Sequence, residues 1–309
     1  MDTKPLIRLG TRRSPLAMAQ AHETRARLCA AHGWDENAVE LVPVVAGGDK
    51  VQDRPLADIG GKALWTRELD VWLADGRIDA AVHSLKDVET VRPDQIALAA
   101  ILPRADKRDV LLGAPSIDAI PQGARLGTSA PRRGAQMRNL RPDIEVVLFR
   151  GNVASRMAKL KAGEADVTLL AAAGLERLGE EGVGTPLEVD RWLPAPSQGA
   201  IGIECRADDA QTRERLAAID DAPSRAEVIC ERALLEALGG TCHSPVGMLA
   251  EQKGDKIRLV AALFSAGGAD RVDGSVDVTP GDDKAIGDFA ADLLGRGAPA
   301  IRALFEGVA

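Results

Sequence analysis

Short apolar runs and longer stretches with helical spacing take turns along this chain, the pattern of sheets covered by helices. Ile7 to Thr11 reads as a short buried strand, and Ser14-Pro15 opens a helix that runs to about Ala31. Serine is a good N-cap, and proline suits the first helical position. Val39 to Val45 reads as a second strand, Thr66 to Ala74 as an amphipathic helix ended by Gly76, and Ile78 to Val82 as a buried strand. After the apolar stretch Ile96 to Leu102, Pro103-Arg104-Ala105-Asp106 marks a hinge, and the alternation begins again. Ala124 to Gly127, Ile144 to Phe149 and Val167 to Ala172 read as strands, with helices opening at Pro131 and after Asn152. Pro194 to Gly199 is a turn-rich link, and the apolar strand Ala200 to Cys205 behind it suggests that the chain crosses back. The remainder reads as a helix from Pro223 to Leu238, an irregular loop through Gly247, strands Ile257 to Phe264 and Arg271 to Val278, then helices.

These elements predict an α/β protein of three domains. Residues 1–103 with 200–219 form one lobe, 104–199 a second, and 220–309 a small α+β domain. Apolar residues make up 45% and charged residues 28% of the 309, an ordinary globular composition with ample material for several cores. The net charge of −7 argues against a general nucleic-acid or membrane-surface role. No apolar run approaches the ~20 residues of a membrane span, and the N-terminus opens no apolar signal segment, so a cytoplasmic location is expected.

Charge is unevenly placed. Between Ala124 and Glu180 stand ten Lys/Arg and six Asp/Glu, a local +4 in an acidic chain. Arginine dominates, which suits two-pronged capture of carboxylate or phosphate. Arg12-Arg13 before one helix and Arg132-Arg133 in the first turn of another put arginines where N–H groups and the helix dipole already favour an anion. Taken singly, such arginines are more often solvated surface charges. Asp87 follows a buried strand, at the end of a sheet where α/β folds collect functional side chains, with Lys86 and Lys62 as possible charge partners. By itself an Asp in a loop is more often a cap.

Cys29, Cys205, Cys230 and Cys242 form no C-x-x-C pair and match no zinc spacing, so neither metal nor disulfide is expected. Three of them lie on helical or strand patterns that suit core packing. Cys242 sits on the Gly239-Gly240-Thr241-Cys242-His243 loop after a helix, where a neighbouring imidazole or N–H groups favour thiolate chemistry.

Read together, the segments resemble the porphobilinogen deaminase family. The residues that carry the likeness are Thr11-Arg12-Arg13-Ser14-Pro15-Leu16-Ala17, Gly60-Gly61-Lys62 and His83-Ser84-Leu85-Lys86-Asp87-Val88. Gly127-Thr128-Ser129 with Arg132-Arg133, Arg150-Gly151-Asn152-Val153 and Ala173-Gly174-Leu175 with Arg177-Leu178 follow. Gln198-Gly199-Ala200, Gly202-Ile203-Glu204-Cys205-Arg206 and Gly240-Thr241-Cys242 complete the set, in the family's order over nearly the whole chain. The resemblance implies two periplasmic-binding-protein-like lobes with mixed sheets and a C-terminal domain, in a monomer. It implies a transferase that links four porphobilinogen molecules head to tail, releasing ammonia and a linear hydroxymethylbilane. A dipyrromethane primer would be held as a thioether by Cys242, and Asp87 would be the catalytic carboxylate. The primer would further contact Lys86, Asp87, Ser129, Arg132, Arg133 and Arg156. Porphobilinogen and the growing oligopyrrole would meet Arg12, Ser14, Lys62, Arg150, Arg177 and Gln198. Every pyrrole brings an acetate and a propionate, which accounts for arginines inside an acidic protein.

Three departures from the family pattern stand out: Asp58 where many relatives carry lysine, Trp65 for a common phenylalanine, and Ala130-Pro131 for Ser-Leu. Two other classes compete with the enzyme. A non-catalytic two-lobed solute-binding protein explains the lobes but neither a third domain nor a cysteine loop. A phosphate-handling enzyme lacks any G-x-x-x-x-G-K-[ST] stretch.

Overall fold

The computed structural model describes residues 5–44 and 66–305. Expectations at Lys62, Gly60-Gly61, Asp58 and Trp65, and those for the loop from Gly47 to Asp58, lie outside the described residues. The chain opens with β1 (Ile7–Arg12), α1 (Pro15–His32), β2 (Val39–Val44), α2 (Arg67–Ala74), β3 (Ala80–Ser84) and β4 (Ile96–Ile101). Next come β5 (Asp109–Leu112), β6 (Arg125–Gly127), α3 (Pro131–Leu140), β7 (Glu145–Val147), α4 (Val153–Lys161), β8 (Val167–Ala171), α5 (Ala172–Arg177) and β9 (Thr185–Pro186). The last third holds β10 (Ile201–Arg206), α6 (Ala210–Ala217), α7 (Ala222–Ala237), β11 (Val246–Lys253), β12 (Lys256–Phe264), β13 (Arg271–Val278), α8 (Asp283–Arg296) and α9 (Pro299–Arg302).

Two sheets repeat one plan. The first runs β2-β1-β3-β10-β4 and the second β7-β6-β8-β5-β9. In each, three strands are parallel and a fourth lies antiparallel beside them: β10 against β3, and β5 against β8. The expected α/β class with mixed sheets is what the chain adopts. A third, antiparallel sheet, β11-β12-β13, is a meander near the C-terminus. The described chain divides into two compact units. One ends at Ala105 and resumes from Gly199 to Arg225; the other holds Asp106–Gln198 and the residues from Ala226 onward.

Burial explains the elements. In the first sheet Ile7, Leu9, Ala80, Val82, Ile201 and Ile203 join Leu28 of α1 in one core, so the chain's apolar residues fall on the covered faces. The C-terminal sheet packs Met248, Leu259, Leu263 and Val272 against Leu234 of α7 and Phe289 of α8. Its other face shares a small core with the second unit's sheet region, formed by Ala135 of α3, Leu193, Leu249, Ala262 and Phe264.

Two corrections follow. The stretch expected to stay irregular through Gly247 enters β11 at Val246, with Gly247 paired to Ala262. Val246 to Ala250 is buried on both sides, so it shows no alternation to be read as a half-covered strand. β5 and α6 were not expected either; β5 is only Asp109-Val110-Leu111-Leu112, with a charged residue at its head.

The link into β10 is held from beneath. Among the described residues Ser197 is the non-glycine residue with positive φ, at 61°, a conformation that costs side chains with a Cβ. Its N–H donates to Glu231 of α7 (2.6 Å), whose other oxygen accepts from the Ala250 N–H at 2.8 Å. The Ser197 hydroxyl is buried without a protein partner. Glycine at this position removes both penalties and loses only the entropy of a freer unfolded chain. Ser197→Gly is therefore expected to leave the thermal midpoint unchanged or raise it, whereas Ser197→Val destabilises by of order 1–3 kcal/mol. A calorimetric scan in which valine matches glycine would refute the strained backbone.

Candidate active site

Parallel pairing of β1 with β3 brings their C-terminal ends to one side of the first sheet. Arg12 ends β1, and α1 starts three residues later, where the Ser14 hydroxyl caps it by accepting from the Ala17 N–H (3.3 Å). β3 ends at Ser84 and runs straight into a single 3₁₀ turn, Leu85–Asp87, that carries Lys86 and Asp87. One pocket is lined by Arg12, Ser14, Gln20, Thr66, His83, Ser84 and Asp87. Asp87 is half-buried there. A carboxylate beside an arginine and hydroxyls can bind a cation or exchange a proton while an anionic group is held next to it.

The pocket's wall is polar and closely paired. The Gln20 amide and Ser84 hydroxyl meet at 2.8 Å. His83 Nε2 lies 3.3 Å from Glu204 on β10, and Glu204 takes two hydrogen bonds of 2.9 Å from Arg92. Burial by itself would raise the Glu204 carboxyl. The nearby His83 ring and the Arg92 guanidinium outweigh it and hold the group at about 2.

The second unit gathers arginines around a different carboxylate. Asp109, at the head of β5, is wholly buried. Arg132 Nη2 (2.7 Å) and Arg133 Nη2 (2.6 Å) donate to its two oxygens, joined by Trp192 Nε1 (2.8 Å) and Gln198 Nε2 (2.9 Å). Burial opposes ionisation of Asp109, yet the two guanidiniums and these N–H donors drive its carboxyl far below the usual range. Arg132 and Arg133 are themselves buried, with further bonds to the Leu193 and Leu169 carbonyls, and the Nε–H of each has no protein partner. Gln198 also donates to the Lys107 carbonyl (2.8 Å), tying one link to the other.

The local excess of positive charge thus shrinks on folding. Arg125 pairs with Asp166 and Arg141 with Asp143, while Arg132 and Arg133 share Asp109 from outside the basic stretch. Arg150 is buried at the end of the loop before α4, and the Arg156 Nε–H donates to the Gly151 carbonyl at 3.0 Å. Asn152 caps α4 by accepting from the Ser155 N–H (2.9 Å). Ser129 is half-buried just before α3, and Arg177 closes α5.

Cys242 lies on a short loop, and of the four cysteines it is the exposed one. Gly239 ends α7 in the left-handed conformation (φ 68°), where a Cβ would sit 2.7 Å from the Phe305 carbonyl. A tight turn follows: Thr241 N–H donates to Ser244 Oγ (2.9 Å), and His243 N–H to Thr241 Oγ1 (3.1 Å). The other thiols are poor nucleophiles. Burial pushes Cys205 up to about 11 and Cys230 up to about 12. A thioether to a bulky group requires an accessible sulfur, and Cys242 meets that requirement. Asp109, Glu204, His83 and Gln20 were not expected as site residues; Asp109 answers arginines more than twenty positions away, a pairing that no local pattern encodes.

Comparison with known proteins follows this geometry. A family model for the porphobilinogen deaminase dipyrromethane cofactor binding domain matches residues 7–214, and one for the porphobilinogen deaminase C-terminal domain matches residues 225–294. A porphobilinogen deaminase of Sphingopyxis alaskensis is 58% identical over 305 residues, covering 97% of this chain and 96% of its own. One of Paracoccus denitrificans is 47% identical over 303 residues, with the same coverage of 97% and 96%. Among solved structures, the BvgS VFT2 domain of Bordetella pertussis aligns with 69% of this chain and 84% of its own, at 14% identity and a TM-score of 0.42. The full-length matches do not favour the binding-protein alternative.

Removing the charge of Asp109 leaves two guanidiniums buried together. Asp109→Asn is expected to cost about 3 to 5 kcal/mol of stability. The wild-type contribution is complete above about pH 4 and fades as pH falls, because the folded carboxyl binds its proton less readily than the unfolded one. Denaturant titrations of both proteins at neutral and acid pH test this, and a gap that stays constant down to pH 3 would remove Asp109 as its source.

Proposed function

This chain belongs to the porphobilinogen deaminase family, and on that premise we propose which of its residues carry the reaction. The protein is a transferase that joins four porphobilinogen molecules head to tail into linear hydroxymethylbilane, releasing ammonia, in tetrapyrrole synthesis. Its cofactor is a dipyrromethane, which would stay on the protein and supply the end to which the four new units are added.

We assign the thioether to the Cys242 sulfur. Its exposure, against the buried Cys205 and Cys230, supports the choice. We assign the acid/base and electrostatic role to Asp87. The observation that carries this reading is the single pocket that Asp87 shares with Arg12 and Ser14, an acid beside a cation and a helix start. In it the Asp87 carboxylate stabilises the cation left on porphobilinogen when ammonia departs, and takes up the proton released as each carbon–carbon bond forms. Arg12 and Ser14 hold the acetate and propionate groups of incoming substrate, and Lys62, Arg150, Arg177 and Gln198 are proposed for the same task. Lys86, Ser129, Arg132, Arg133 and Arg156 hold the side chains of the cofactor.

We further propose three domains with the boundaries given above, in a cytoplasmic monomer that binds neither nucleic acid nor membrane. The net charge of −7 supports the last point, and among the described residues no helix is long and apolar enough to cross a membrane.

Intact mass of the denatured protein, measured beside Cys242→Ser, tests the anchor. The native chain should exceed its sequence mass by two linked pyrroles, and the variant should not; an adduct that survives in the serine variant places the thioether elsewhere. Asp87→Asn should keep the adduct and lose bilane formation by at least about a hundredfold. Turnover within a few fold of wild type would reassign the carboxylate.

A further inference from the structure

Arg92 lies on the stretch that leads away from the Leu85–Asp87 turn, and carboxylates reach its guanidinium from two other elements and from its own stretch. Glu204 of β10 takes two parallel hydrogen bonds, from Nε and Nη2, each 2.9 Å. Asp70 of α2 accepts from Nη2 at 2.6 Å, and Glu89 accepts from Nη1 at 2.9 Å. Glu204 is 1% exposed on an inner strand of the sheet. Gly202 stands opposite His83 in the ladder, so Glu204, two residues on, projects to the same face as His83, and its oxygen reaches His83 Nε2 at 3.3 Å.

Stability does not account for this arrangement. A buried ionic cluster contributes little beyond what apolar side chains of equal volume give, and often less. What the cluster does provide is orientation. His83 Nε2 lies 3.3 Å from that buried carboxylate without completing a hydrogen bond to it, so where the carboxylate is held bears on where the ring sits. His83 lines the pocket that contains Asp87.

We propose that Arg92 is a positioning residue for the reaction: through Glu204 it sets the place of the His83 ring in the pocket that His83 and Asp87 both line. The inference rests on the reading of Asp87 as the working carboxylate. The charged groups around His83 are Glu204, Arg92 and Asp70 on one side and, along the pocket, Asp87 and Arg12. Glu204 is held near 2 by His83 and Arg92 against the effect of burial. Without Arg92 that carboxyl rises and takes up protons at higher pH, so the acid limb of the pH–kcat profile moves upward.

The test uses cofactor-loaded holoenzyme, with loading verified by intact mass, for Arg92→Met, Arg92→Lys, Glu204→Gln and His83→Gln. Arg92→Met is expected to lower kcat about tenfold with KM for porphobilinogen nearly unchanged. Its acid limb shifts to higher pH, and Arg92→Lys recovers part of kcat. His83→Gln added to Arg92→Met should cost little more, because both act through one route. Wild-type kcat in Arg92→Met, or a lower kcat with an unmoved acid limb and fully additive losses, overturns the proposal. If Arg92→Met does not fold, Glu204→Gln, which preserves shape, carries the kcat, KM and additivity readouts, and Arg92→Lys carries the acid limb. Asp87→Asn separates the two readings: its activity would sink the assignment of Asp87, whereas an inactive Asp87→Asn beside an unaffected Arg92→Met sinks only the positioning role.

Discussion

Asp109 has no contact with water, and a carboxylate so placed is tolerable only when cations and N–H donors saturate both its oxygens. That requirement organises the second unit. It draws the first turn of α3 down onto β5 through Arg132 and Arg133, and it fixes the indole of Trp192. Gln198, just before the chain leaves the unit, is bound to the same group. Helix start, strand and departing link are therefore set by one ion. The two arginines gain a fixed geometry, with much of their charge answered by Asp109.

The first unit solves the corresponding problem with the signs of supply reversed. There a single guanidinium, Arg92, serves several acids, and Glu204 lies on β10, the strand that holds in the first sheet the place of β5 in the second. Each of these antiparallel strands follows directly on a link, and each carries an acid that the neighbouring loops and helices must answer. The pairing is long-range in sequence in both cases, so the geometry near Asp87 and near α3 is a property of the assembled sheets rather than of local turns.

What could be read in advance follows from this. Strands with one clear period, such as Ile7–Arg12 and Arg271–Val278, and helices with a cap and proline, such as the one at Ser14-Pro15, were legible. β11 was not, because Pro245 and Gly247 suggest a loop and both its faces are buried. The strand-end rule placed Asp87 and the helix start pointed to Arg12 and Ser14, and the structure brings these three into one pocket. Arg132 and Arg133 were visible as residues, but not as a buried pair, since their counter-ion sits on a strand whose own signal is four residues long. Hydropathy marks faces; it is silent on which acid meets which base.

The strand order also governs when the first unit can exist during synthesis. β10 lies between β3 and β4, so β4 has no partner in the sheet until residues 201–206 are in place. A nascent chain must therefore emerge through the whole of the second sheet before the first can close. Until then β3, with the Leu85–Asp87 turn behind it, presents an open edge to the surrounding solution. Vectorial translation thus makes the N-terminal half the later of the two to mature, and places the interval of greatest exposure to misassembly between the emergence of β4 and that of β10.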